Sequence, residues 1–314
     1  MKGYIIKRLL QLIPIVIGIT LLSFAMMRLA GSDAVTQMYS AQGTVVSEEV
    51  IQKARESLGL DKPFIVQYFI WLGGLFRGDM GTSYISGKNV FATFVSKLPA
   101  TLLLTLMSVV FTIAVSIPLG ILAAVKQNKV TDYIIRFCSF IGNSMPNFFI
   151  ALLLMNLLAI QLGWLPVMSS GTGFISGIMP TLTLGISMSA KYTRQVRATV
   201  LEELDKDYVT GLKAKGIRGG VILWGSVLKS SMLTIVTLLA LSIGSLLGGT
   251  AIVESIFMWD GVGKLAVDSI TARDYPLIQA YVVWMAVIYV VVNLVTDILY
   301  HYLDPRVRLG GLKD

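Results

Sequence analysis

Six apolar stretches constrain this chain more than any other feature of its sequence. They lie near residues 9–29, 99–125, 134–162, 177–194, 230–256 and 276–299. Each is close to the roughly 20 residues that a helix needs to cross a hydrocarbon core of about 30 Å. Residues are 55% hydrophobic and 14% charged, whereas soluble domains are about a quarter charged. One water-facing globule of this composition could not cover itself with polar groups. The sequence therefore predicts an all-α, polytopic membrane protein with six transmembrane helices. Lys191 and Arg194 interrupt the fourth span. The run from Leu9 to Ala30 outlasts a secretory signal core and has no small-x-small site after it, so the first span is expected to be retained.

The net charge is +8. It is carried in short stretches between spans, which points to topology and to anionic membrane lipid rather than nucleic acid. If the N-terminus is cytoplasmic, the inner segments hold 17 of the 26 Lys and Arg residues. Both termini are accordingly expected in the cytoplasm. The lone Cys138 offers neither a disulfide framework nor a metal cluster. The 14 methionines are scattered and read as core packing, and His301 stands alone. No metal site or cofactor is expected.

The boundaries divide the chain into an N-terminal tail and first span (1–30), an outer segment (31–97), a five-helix core (98–300) containing an inner loop at 195–229, and a cytoplasmic tail (301–314). The outer segment is too long for a plain loop. Ser47 followed by Glu48, Glu49, Val50, Ile51, Ala54 and Leu58 combines a cap, early acids and an i, i+3/i+4 stripe. That pattern predicts a short amphipathic helix, in either a docking cap or a spacer. The aromatic run Phe64, Tyr68, Phe69 and Trp71 suits a membrane interface.

Polar groups at membrane depth are costly and mark candidate sites. Asn143, Ser144, Met145 and Asn147 surround Pro146 in the third span. Their polar groups either satisfy carbonyls freed by the proline or line a path. Glu254, near the outer end of the fifth span, either gates a path or fixes the fold. Asn293 and Asp297 share one face of the sixth span, where Asp297 can also reach the inner interface.

The inner loop carries the most specific pattern. In Leu204-Asp205-Lys206-Asp207-Tyr208-Val209-Thr210-Gly211-Leu212-Lys213-Ala214-Lys215-Gly216, Tyr208, Val209, Leu212 and Gly216 fall on one helical face, and Gly216 supplies a C-terminal cap. A helix of about ten residues is marginal alone in water. It needs support, either from its own bundle or from a partner.

Asp207-Tyr208-Val209…Ala214-Lys215-Gly216 resembles the coupling loop of binding-protein-dependent ABC importer permeases of the nickel/dipeptide/oligopeptide group. The resemblance continues through Lys7-Arg8-Leu9-Leu10…Pro14, Leu58-Gly59-Leu60-Asp61-Lys62-Pro63, Gly78-Asp79-Met80-Gly81-Thr82-Ser83 and Leu98-Pro99-Ala100-Thr101-Leu102. Further on it includes Ser144-Met145-Pro146-Asn147, Gly248-Gly249-Thr250…Glu254, Arg273-Asp274-Tyr275-Pro276 and Leu303-Asp304-Pro305-Arg306. Two positions depart from the pattern: Thr234 and Asp260 stand where the family usually has proline.

This resemblance implies a type I importer permease in a bacterial inner or plasma membrane. It also implies a second homologous permease, two cytoplasmic ATPases and an extracytoplasmic solute-binding protein as partners. Asp207, Tyr208, Val209, Leu212, Ala214, Lys215 and Gly216 would couple the chain to an ATPase. The apolar face would lie in the ATPase groove, and Gly216 would permit close approach. The chain has no Gly-x-x-x-x-Gly-Lys-Ser/Thr, so the expectation is a non-enzymatic subunit whose ATP is hydrolysed by partners. The alternative is a self-contained secondary transporter or channel. Ser144-Met145-Pro146-Asn147-Phe148-Phe149 and the stretch from Gly248 to Phe257 favour nickel, as ion or chelate, over di- or oligopeptides.

Overall fold

The computed structural model describes residues 2–29, 46–57, 59–168, 171 and 173–303, with Val35, Thr36 and Tyr39. Among these, every regular element is helical. In chain order the helices are α1 (Lys2–Leu29), α2 (Glu48–Ser57), α3 (Phe64–Phe76), α4 (Val90–Val125), α5 (Val130–Ser144) and α6 (Asn147–Leu154). There follow α7 (Phe174–Leu204), α8 (Asp207–Ala214), α9 (Gly219–Ile222), α10 (Leu228–Gly249), α11 (Ala251–Ile256), α12 (Val262–Ala272) and α13 (Tyr275–Leu303). Wider π turns extend α6 over Met155–Gln161 and join α9 to α10 over Leu223–Val227.

These helices cover all six expected spans, with corrections to two of them. Val90–Val125, Gly219–Thr237 and Tyr275–Thr296 are long and apolar enough to cross a membrane, and the α5–α6 pair makes a fourth if it counts as one span. That pair is bent by 104°, so the third span is not a single helix. The cause is Pro146, which lacks an N–H and drives the residue before it out of helical geometry. Met145 is extended, with φ −84° and ψ 129°. The fifth span also divides, at Thr250, into α10 and α11. Thr234, in place of the usual proline, lets α10 run through without losing a backbone donor. The inner loop was expected to start at 195, but α7 continues as helix to Leu204. Leu58, most of residues 30–45, residues 304–314 and the side chain of Asp297 lie outside the described set.

Two compact units form. One joins residues 1–101 to 260–290, and the other joins 102–259 to 291–314. In the first, the predicted amphipathic helix appears as α2, with acids in its first turn. The aromatic run packs inside this unit, where Phe24 of α1 sets its ring against Phe64, Tyr68 and Trp71 of α3. The Tyr68 hydroxyl lies 3.0 Å from Thr20 Oγ1.

Residues 260–290 also complete this first unit, a partnership not evident from the linear sequence. Met80 and Val90 form an apolar core with Leu277, Ala280 and Val283. Buried Asp274 accepts hydrogen bonds from the Ser83 hydroxyl and the Tyr84 N–H. Asp260, where proline is usual, forms an ion pair with Lys97. Next to it, Thr101 Oγ1 accepts the Val262 N–H at 2.8 Å and so satisfies an orphan donor at the start of α12.

Candidate functional site

Short helix α8 belongs to the second unit and has a clear inward face. Val209 is 0% exposed and packs in one cluster with Ile121 and Ala124 of α4, Tyr192, Val196 and Val200 of α7, and Ile222, Val227 and Ile235 farther along. Leu204 and Leu212 border the same cluster. The helix therefore rests on its own bundle, which supplies the support that eight residues lack in water. The expectation of a partner's groove does not hold for Val209, which is committed to the cluster beneath it, while Leu212 packs against that cluster and is only partly buried.

Tyr208 lies beside this buried seam. Its hydroxyl donates to Glu203 Oε2 at 3.0 Å, and Lys206 Nζ pairs with the other oxygen of the same carboxylate. Burial and then the Glu203 hydrogen bond push the Tyr208 phenol above its ordinary range, with Ser230 acting in the opposite sense. The Glu203 hydrogen bond raises Lys206. Both groups keep their protons at neutral pH, so one carboxylate on the last turn of α7 ties down the entry to α8.

The opposite side of α8 presents Asp207, Thr210, Gly211 and Ala214, all exposed and spaced i, i+3, i+4, i+7. Lys213, Lys215 and Gly216 are exposed as well. Thr210 and Gly211 are absent from the sequence-based set. Their signal is this stripe of small residues opposite the apolar one.

Gly216 closes the helix as the sequence predicts. Its φ is +76°, its N–H donates to Lys213 O, and the Ile217 N–H donates to Leu212 O. Those are the two bonds of a Schellman motif. A Cβ at Gly216 would meet nothing within 4 Å, so the chain's own atoms leave room for a side chain and the restriction is conformational. Gly216→Val is expected to cost about 1–2 kcal/mol through its left-handed backbone. Gly216→Asn should cost less, because asparagine tolerates that region. Comparing thermal midpoints of the two purified variants checks this order.

Behind α8, α5 is locked to α7 by a pair that sequence reasoning missed. Arg197 Nε and Nη2 donate to Asp132 Oδ1 and Oδ2 at 2.7 and 2.8 Å. The Asn128 N–H adds a third bond to the carboxylate at 3.0 Å. Asp132 is 0% exposed. Close helix contact reinforces the lock. A Cβ at Gly142 of α5 would come 2.9 Å from Ala190 Cβ of α7, and one at Gly120 of α4 would come 2.6 Å from Val196 Cβ.

The path candidates are only partly brought together. Asn143 and Ser144 are exposed at the end of α5, Met145 is half-buried at the bend, and Asn147 is half-buried at the start of α6. The Ser144 hydroxyl donates back to Phe140 O, one turn earlier in its own helix. Glu254 is fully buried in α11, which packs against α6, the helix Asn147 begins.

Comparison with known proteins agrees with this architecture. Residues 116–309 match the family described as the binding-protein-dependent transport system inner membrane component, and residues 1–105 match the family of its N-terminal part. The oligopeptide transport system permease protein AppB of Bacillus subtilis is 40% identical, over 98% of this chain and 100% of its own length. The dipeptide transport system permease protein DppB of Alkalihalophilus pseudofirmus is 36% identical over 98% and 100%. The glutathione transport system permease protein GsiC of Pectobacterium atrosepticum is 35% identical over 98% and 99%. Among solved structures, an inward-facing form of the MetNI methionine ABC transporter matches with a TM-score of 0.57 at 15% identity, covering 68% of this chain and 96% of that one. An amino acid ABC transporter crystallised with histidines matches with a TM-score of 0.51 at 20% identity, over 68% and 94%. These two likenesses show the fold. The chain thus belongs to the binding-protein-dependent family of ABC importer permeases, membrane components for which partner ATPases hydrolyse the ATP.

Proposed function

We propose that this chain forms part of the translocation path for short peptides in an ATP-driven importer. The observation that carries this reading is full-length similarity to permeases named for oligopeptide, dipeptide and glutathione transport. Those names replace the sequence-based leaning toward nickel, since all three cargoes are peptidic. The partners are a second homologous permease, two cytoplasmic ATPases and an extracytoplasmic solute-binding protein. Both termini and α8 face the cytoplasm, in keeping with the charge count, and the outer segment 31–97 receives the binding protein.

In this reading α8 is the lever. The stripe of Asp207, Thr210, Gly211 and Ala214, continued by Lys215 and Gly216, meets the ATPase, and its small side chains allow close approach. Val209, Leu212 and Tyr208 carry the motion into α4, α7 and α10. Support comes from the cluster under Val209, which ties those three helices to one eight-residue element. Asn147, Glu254 and the bend between α5 and α6 are proposed to border the path, with Asn143, Ser144 and Met145 at its edge.

Reconstituting the complete transporter in proteoliposomes tests the substrate. ATP-dependent uptake of di- or oligopeptides is expected, with unlabelled peptide competing. Uptake of a nickel chelate that peptides do not inhibit would contradict the peptide reading. Peptide uptake by this chain alone, without ATPases, would favour a secondary transporter.

A further inference from the structure

A groove of about 500 Å³ opens beside α5 and α7, lined by Tyr133, Arg136, Phe137, Phe140, Arg194 and Arg197. Tyr133, Arg136, Phe137 and Phe140 are spaced i, i+3, i+4, i+7, so α5 presents a mixed aromatic and cationic face. The nearby carboxylate, Asp132, is already held by Nε and Nη2 of Arg197. Arg136 lies over the Tyr133 ring, 5.7 Å from its centroid. Neither Arg136 nor Arg194 forms an ion pair among the described residues, and both are exposed. The groove therefore carries surplus positive charge against an aromatic wall.

Its depth narrows the choice of ligand. Arg136 is seven residues beyond Lys129, about 10 Å along a helix at 1.5 Å per residue. Flexible arginine stems at that depth can reach the headgroup layer, while Phe140, one turn farther in, meets acyl chains. A basic pocket between spans on the cytoplasmic side suits an anionic headgroup. The volume is several times what one inorganic phosphate fills, and the rings offer a free anion nothing to pack against.

We propose that this groove binds an anionic phospholipid of the inner leaflet, with its phosphodiester between Arg136 and Arg194 and its acyl chains along Phe137 and Phe140. The leaflet assignment rests on the cytoplasmic placement of α8 proposed above. The lipid would sit where α5 meets α7, next to the Asp132–Arg197 lock and the helix that carries Val200 beneath α8.

Native mass spectrometry of the detergent-purified complete transporter, titrated with phosphatidylglycerol or with phosphatidylcholine of the same chains, tests the proposal. Phosphatidylglycerol should be retained at least about tenfold more tightly. Each basic residue near an anionic surface contributes about 1 kcal/mol, so Arg136→Gln with Arg194→Gln should weaken retention roughly 30-fold, equivalent to about 2 kcal/mol. The matching pair of lysine substitutions should restore most of the binding, which separates charge from folding. Equal retention by wild type and the glutamine variant would overturn the proposal, as would equal retention of the two lipids. Displacement of the lipid by millimolar inorganic phosphate would instead assign the groove to a free anion. No retention of phosphatidylglycerol by the complete transporter would overturn the proposal too. Binding is read without transport, so a negative result leaves the importer reading standing.

Discussion

Replacing Arg197 with methionine is expected to deplete the protein from the membrane. The substitution leaves Asp132, which is 0% exposed, as a buried carboxylate without its two charged hydrogen bonds. Breaking a buried pair by removing one partner costs about 3–5 kcal/mol. That is a large share of the roughly 5–15 kcal/mol by which folded domains are stable. Arg197→Lys should fall in between, because an ammonium cannot reproduce the two-pronged contact. The informative control is the double variant Asp132→Leu with Arg197→Met, which removes both charges together. It should recover most of the thermal stability, since an apolar pair of similar volume is often as stable as the ion pair it replaces. Membrane abundance and thermal midpoints in detergent check the series. A single Arg197→Met protein as stable as wild type would show that the pair does not hold α5 to α7.

The second large effect is expected at Val209, the buried foot of the lever. Fully burying a valine contributes about 1.5–3 kcal/mol, and α8 has only eight residues with which to hold itself in place. Val209→Asp puts a carboxylate into an apolar cluster, so α8 should detach while the spans stay folded. The expected phenotype is a complex that assembles and hydrolyses ATP at its basal rate, takes up peptide at least about tenfold more slowly, and no longer hydrolyses faster with substrate. Thr210→Ala changes an exposed position and should leave abundance unchanged. Substrate-stimulated hydrolysis measured beside uptake separates these outcomes. Normal coupling in Val209→Asp would remove the mechanical role assigned to the cluster.

The spans were legible because bilayer thickness fixes a helix length, and apolar runs of that length stand out in the sequence. Pro146 was legible as a point of weakness. The direction of the bend was not, because it depends on what α5 and α6 pack against. The apolar stripe of α8 was also legible, but periodicity states only that a face is buried and not by what. The cluster turns Val209 toward the bundle and leaves Thr210 and Gly211 on the exposed side. Pairings between distant residues left no local trace. Asp132 and Arg197 are 65 positions apart, and Ser83 and Asp274 are 191 apart. Asp132, Arg197 and Asp274 looked like ordinary polar residues near the ends of spans, and Ser83 like a loop residue. Asp260 was visible only as a departure from proline, and Lys97 supplies its physical role.

Helix α8 faces inward through Val209, and its exposed Thr210 and Gly211 are proposed to meet an ATPase. Cysteine cross-linking tests this placement most directly. In a Cys138→Ser background, single cysteines at positions 209, 210 and 211 would be treated with a short bifunctional reagent in the assembled transporter. Efficient cross-links to the ATPase are expected from 210 and 211, changing in yield with ATP, and little or none from 209. A dominant cross-link from 209, or none from any of the three in an assembled complex, would contradict this placement.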